Sequence, residues 1–287
     1  MIDEIISKVA AQDAGYDKEA YKQRKKEQKE EAYKIIDESL EELKTNLAFF
    51  KAYLDVQSRF DMYTPRNALL ITKQMPNAMQ LKTRNDWKDL RATFKSVKPK
   101  VITIIEPGEA YINSNGETVT PIYAKDVIDV SETNTRPNVK NYDKQFILQA
   151  LIHDPLVPIK AVDSLESGKV CEWNQEDKVI YICRSDDYNS VIKALANEMA
   201  KISLYENTNE IDNDKADCIS YMLCKKYGID SQVNCIGNLQ SKYSNMEKPE
   251  IANDLTAMKE SLLEMNTKIG QYLDDKKREL NNREQER

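Results

Sequence analysis

Histidine is nearly missing from this chain: His153 is the single one in 287 residues. A centre built on several imidazoles is therefore excluded. Cysteine is sparse too, with Cys171, Cys183, Cys218, Cys224 and Cys235. The number is odd and no C-x-x-C pair occurs, which argues against a disulfide framework or a thiolate zinc knuckle. Ordinary reduced thiols are expected. No apolar run approaches the ~18 residues a membrane span needs. The acidic, amphipathic start MIDEIISKVAAQDAG does not read as a secretory signal. A cytoplasmic protein is the expectation.

What the chain does have is charge, unevenly placed. Residues 59–100 carry ten Lys/Arg against three Asp/Glu, whereas residues 109–287 carry 22 against 31, within an overall balance of −6. One short region can attract a polyanion while the rest discourages nonspecific contact. A solvated basic face without function accounts for the same charge pattern.

The periodicity predicts a short amphipathic helix over 1–10 and a Glu/Lys/Ala-rich helical region over 17–58, charged at first and apolar from Phe49 and Phe50 onward. In YTPRNALLITKQMP, residues 63–76, Thr64 caps a helix whose first position suits Pro65. A helical turn follows at 83–90. VITII at 101–105 and TVTPIYAKDVIDV after the NSNGE turn read as extended segments. The polar stretch 131–145 marks a domain boundary. Beyond it come a short helix in FILQALI, three strands (VPIKAV, GKVCEW and KVIYIC, the last two a hairpin), helices at 188–206 and 214–227, a loop at 235–246 and a long helix over 249–284.

These residues carry a family likeness. YTPRNALLITKQMPNAMQLKTRNDWKDL resembles the N-terminal domain of the ArdC antirestriction family, with Tyr63, Arg66, Asn67, Leu69, Leu70, Gln74, Pro76, Ala78, Trp87, Lys88 and Leu90 at matching positions. VPIKAVDSLESGKVCEWNQEDKVIYICRSDDYNSVIKALANEMAK and IDNDKADCISYMLCKKYGID are similar to the segments around that family's zinc-metallopeptidase helix. The likeness spans roughly residues 40–230. Where the family has its two zinc histidines, this chain has Asn197 and Lys201. Lys215, with Asp214 beside it, stands at the family's next acidic position.

A helix-rich α+β protein is expected: the resemblance implies a small α+β domain of single-stranded-DNA-binding type (41–135) and a degenerate zincin-like domain with a short antiparallel sheet and paired helices (140–248). Composition and periodicity add a charged helical arm (1–40) and a C-terminal helix (249–287). The resemblance also implies a protein of plasmids, phages or conjugative transposons. Single-strand recognition needs cations for phosphates and flat side chains for bases. Arg59, Tyr63, Arg66, Asn67, Lys73, Arg84, Trp87, Lys88 and Arg91 are the candidates, with Trp87 equally suited to a core and Asn67 to holding a loop.

Peptidase chemistry of the HExxH kind needs zinc to acidify water and a glutamate as base. Asn197, Glu198 and Lys201 share a helix face, yet a lysine binds zinc only after losing a proton, which costs about 4–5 kcal/mol at neutral pH from an ordinary pKa near 10.4. The expectation is a pseudoenzyme, a vestigial site at Asn197, Glu198, Lys201, Asp214 and Lys215, with no catalytic residue, metal or cofactor. A noncatalytic single-stranded-DNA-binding accessory protein, antirestriction or conjugation-related, is the leading reading. Partner binding or self-association through the terminal helices, and an atypical metal-dependent peptidase, stand beside it.

Overall fold

The computed structural model describes residues 2, 18–138, 141–185 and 187–285. The helix expected over 1–10 lies outside them except for Ile2. The long helical region begins at α1 (Lys18–Thr45) and breaks once, at Asn46, whose side chain accepts from Phe49 N at 3.1 Å and so starts α2 (Leu47–Arg59) as an N-cap. The first turns of α1 are solvated, but Ala32, Ile36, Leu40 and Leu43 are buried, so its second half belongs to the core. In α3 (Pro65–Gln74), Thr64 caps and Pro65 takes the first position, where its missing amide costs nothing.

A three-stranded antiparallel sheet follows, in the order β1 (Leu81–Lys82), β5 (Ile122–Asp129), β2 (Ile102–Pro107). Between them lie α4 (Arg84–Asp89) and a small hairpin, β3 (Tyr111–Ile112) with β4 (Thr118–Val119). An edge strand exposes unpaired amides and carbonyls. Here two side-chain amides of α3 cover the free edge of β2. Asn67 gives Nδ2 to Ile105 O at 2.8 Å and takes Ile105 N on Oδ1 at 2.9 Å. Gln74 does the same to Thr103, at 2.9 Å in both directions. The outer face of β5 lies on α1, where Gln28 donates to Thr103 Oγ1 at 3.0 Å and to Asp126.

In the second half, α5 (Lys144–His153) leads to β6 (Ile159–Val162), β7 (Cys171–Asn174) and β8 (Val179–Cys183). The β7–β8 hairpin forms as expected, but the sheet is mixed and not wholly antiparallel: β6 runs parallel to β8. The apolar strand VIYIC takes the centre of the order β6-β8-β7, with Ile180 fully buried. Then come the paired helices α6 (Tyr188–Thr208) and α7 (Asn213–Lys226). Residues 235–246, expected as a loop, contain α8 (Ile236–Tyr243), because Ile236, Leu239 and Tyr243 recur at helical spacing and are buried. The final helix α9 (Lys248–Gln285) buries Ile251, Leu255, Met258, Leu262, Met265 and Ile269. One cluster of buried apolar residues runs from Ala32 to Ile269 and so passes through both halves. Among the described residues no helix is long and apolar enough to cross a membrane.

Candidate functional site

Several residues of the basic region hold the fold. Asn67 is buried and both ends of its amide are engaged by Ile105, so it meets no phosphate. Trp87 is fully buried, and its indole N–H donates to Ile128 O at 2.9 Å; it is core and offers no face to a base. Arg59 gives Nε to Ala78 O at 2.9 Å and a terminal N–H to Pro76 O, tying down the 76–80 turn. Burial lowers its pKa from the ordinary arginine value. Lys73 is ion-paired with Glu42 at 2.6 Å. Tyr63 is half-buried with its ring 5.7 Å from that of Phe60, and burial, then the charge of Glu106, pushes its phenol up.

Four candidates remain in water. Arg66, Arg84, Lys88 and Arg91 are exposed, and none makes an ion pair among the described residues. Arg84 and Lys88 sit one turn apart on α4, so they share a face. Arg84 lies over the Phe94 ring, 4.7 Å from its centroid. Arg91 closes the helix in the left-handed conformation, φ +58, with its amide donating to Lys88 O at 2.7 Å. Arg66 is elsewhere. It borders a groove of about 530 Å³ together with Pro107 and Ile122, whereas α4 follows β1, which pairs with Ile128 and Asp129. The six steps along β5 from Ile122 to Ile128 span about 20 Å between these two ends of the strand. The cations therefore stand at both ends of the first sheet and do not form one compact patch.

The peptidase-like helices meet at a second cleft, of about 490 Å³, bordered by Asn197, Glu198, Lys201 and Cys171. Val191, Ile192, Leu195, Met199 and Ile202 are buried, which turns the opposite face of α6 toward the cleft. Glu198 is almost wholly buried and both its oxygens are taken. Lys201 Nζ donates to Oε1 at 2.7 Å, and the Trp173 amide donates to Oε2 at 3.1 Å. Burial, then the charge of Glu198, pushes the Cys171 thiol up to about 12, so it is no nucleophile near neutral pH.

Asp214 and Lys215 lie away from this corner. Asp214 accepts from Asn238 Nδ2 at 3.1 Å, and Lys215 pairs with Asp254 at 2.7 Å. The acidic residue of α7 that borders the cleft is Asp217. One turn further on, the Ser220 hydroxyl donates to Lys193 O on α6 at 2.8 Å and marks the face of α7 turned toward α6. The donor set does not suit a divalent metal. Among the described residues no group of three or more His, Cys, Asp or Glu is arranged to hold one, and a lysine ammonium sits directly on the glutamate.

These two sites lie in a helix-rich α+β architecture of ArdC type. The chain is similar to the crystal structure of the Mn(II)-bound antirestriction protein ArdC from the R388 plasmid, with TM-score 0.54 at 11% identity over 83% of this chain and 97% of that one. The metal-free structure of the same protein aligns with TM-score 0.48 at 11% identity over 73% and 86%. No protein-family profile and no curated protein sequence matches the chain.

Proposed function

We infer that this protein is a noncatalytic single-stranded-DNA-binding accessory factor of a mobile genetic element, antirestriction or conjugation-related. The observation that carries the reading is the set of exposed cations without ion-pair partners, Arg66, Arg84, Lys88 and Arg91, on a fold it shares with a plasmid-borne antirestriction protein. Free cations release counterions when they meet phosphates, and that release drives binding with little regard for sequence. Their spread along the sheet suits a flexible strand better than a rigid duplex groove. A peptidase reading gains no support from the second cleft, where Glu198 is ion-paired with Lys201 and holds the Trp173 amide. The apolar stripe of α9 is already covered inside the chain, so a partner binding through it must first detach the helix.

The test is a fluorescence-polarisation titration of a labelled mixed-sequence oligonucleotide. The expected result is binding at low salt that falls steeply as salt rises. The Arg66→Ala/Arg84→Ala chain binds every sequence more weakly, with a shallower salt dependence. An absence of binding at micromolar protein in low salt overturns the reading.

A further inference from the structure

Near the Arg66 end of the first sheet stands an exposed tyrosine. Tyr123, on β5, keeps 58% of its surface in water. Its register partner on β2 is Glu106, and Lys125 follows two residues later on the same face of the strand. Lys125 Nζ pairs with Glu106 at 2.7 Å and lies within electrostatic reach of Asp86 on α4. The tyrosine therefore stands beside Lys125 on the strand that runs from the Arg66 end of the sheet toward the α4 end.

The ring is also seated. A Cβ added to Gly108 would lie 2.2 Å from Tyr123 Cε2 and 2.8 Å from Cδ2, closer than any side chain can approach. The same position is 3.3 Å from Pro121 Cγ, and Gly108 N donates to Pro121 O at 2.7 Å. Gly108 thus lets the backbone close against the Cδ2–Cε2 edge of the aromatic ring, where only a hydrogen fits. A ring held along one edge, with 58% of the residue in water, loses little freedom when something flat settles on a face. That economy matters for single strands, where stacking on aromatic side chains holds bases regardless of their identity.

We propose that Tyr123, seated on Gly108, is a stacking platform for a nucleobase of the bound single strand. The inference rests on the single-strand reading above and adds a contact to the base where that reading has only contacts to phosphate. The neighbouring cations set the course of the backbone, and the tyrosine fixes one base along it.

The test compares wild type, Tyr123→Ala, Tyr123→Phe, Gly108→Ala and the Tyr123→Ala/Gly108→Ala double variant, each checked by circular dichroism. Binding of labelled oligothymidylate is measured against a fully abasic strand of the same length. Tyr123→Ala is expected to weaken oligothymidylate binding about ten-fold, with Tyr123→Phe close to wild type and the salt slope unchanged. Gly108→Ala weakens binding in the wild-type background and has no further effect once Tyr123 is alanine. On the abasic strand wild type and Tyr123→Ala bind alike. Undiminished oligothymidylate binding by Tyr123→Ala, or an equal loss on both strands, overturns the platform and leaves the electrostatic reading standing. Failure of wild type to bind either strand overturns both.

Discussion

Lys201 Nζ stands 2.7 Å from Glu198 Oε1, one helical turn away, with both side chains almost withdrawn from water. In a HExxH helix, metal ligands would occupy positions 197 and 201; here the second of them carries a positive charge that neutralises the glutamate directly. A buried carboxylate that loses its ion-pair partner is costly, because the pair's attraction disappears while the desolvation stays. Lys201→Met is therefore expected to destabilise the chain by about 3–5 kcal/mol, read from urea unfolding. Adding Glu198→Gln to it should recover much of that loss, since the amide oxygen still accepts from Trp173. Equal losses in the single and double variants would show that the pair is not coupled.

The same corner makes a prediction about metal. Neither EDTA nor millimolar Mn(II) should move the melting temperature of the wild-type chain. Asn197→His/Lys201→His, which sets two imidazoles beside Glu198 and Asp217, should gain a melting temperature that rises with Mn(II) or Zn(II). A metal-dependent shift already present in wild type contradicts the assignment.

Asn67→Ala removes both hydrogen bonds to Ile105 and leaves that residue's outward N–H and C=O without partners, while Gln74 still covers Thr103. The expected cost is about 1–3 kcal/mol for each backbone group left unsatisfied, seen in denaturant unfolding. DNA binding by the folded fraction should be unchanged. A selective loss of binding at full stability would return Asn67 to the interface.

Arg91 holds a left-handed conformation that glycine adopts without strain. Arg91→Gly should raise stability by up to about 1 kcal/mol while weakening single-strand binding. Arg91→Ala keeps the strain and removes the charge. If both variants bind as wild type does, the residue has no part in binding.

Asp86 provides a pH signature. Thr83, through its hydroxyl and then its amide, holds the Asp86 carboxyl below the ordinary value of 3.8. A carboxyl depressed in the folded state contributes stability that is complete above its unfolded value and lost as pH falls through the folded one. The stability difference between wild type and Asp86→Asn should be level from about pH 7 to pH 5 and shrink below about pH 4. Thr83→Ala, which removes the hydroxyl and keeps the amide, should weaken that trend. A difference that grows on acidification contradicts the capping box.

Local signals in the sequence anticipated much of this fold. Thr64 and Pro65 announced the start of α3, and the short connection between β7 and β8 announced their hairpin, because both depend on neighbours in the chain. The parallel partnership of β6 with β8 was not legible, since it joins strands separated by another strand. The site divided in the same way. The cleft position of Asn197, Glu198 and Lys201 follows from helical spacing. The burial of Trp87 depends on an acceptor at Ile128, and that of Asn67 on a strand edge at Ile105, each about forty residues away. Asp217 took a place that counting along the sequence had given to Lys215 and Asp214, because the face α7 turns toward α6 decides the matter.

The long terminal helix α9 touches α1 and α3 on one side and α5, α6 and α7 on the other. It acts as a strap across the two halves. A protease that nicks the polar stretch at 131–145 should therefore release nothing: the fragments would co-elute until denaturant loosens that strap, and a cut chain shortened before residue 248, held by α2 against α7, should separate at lower denaturant.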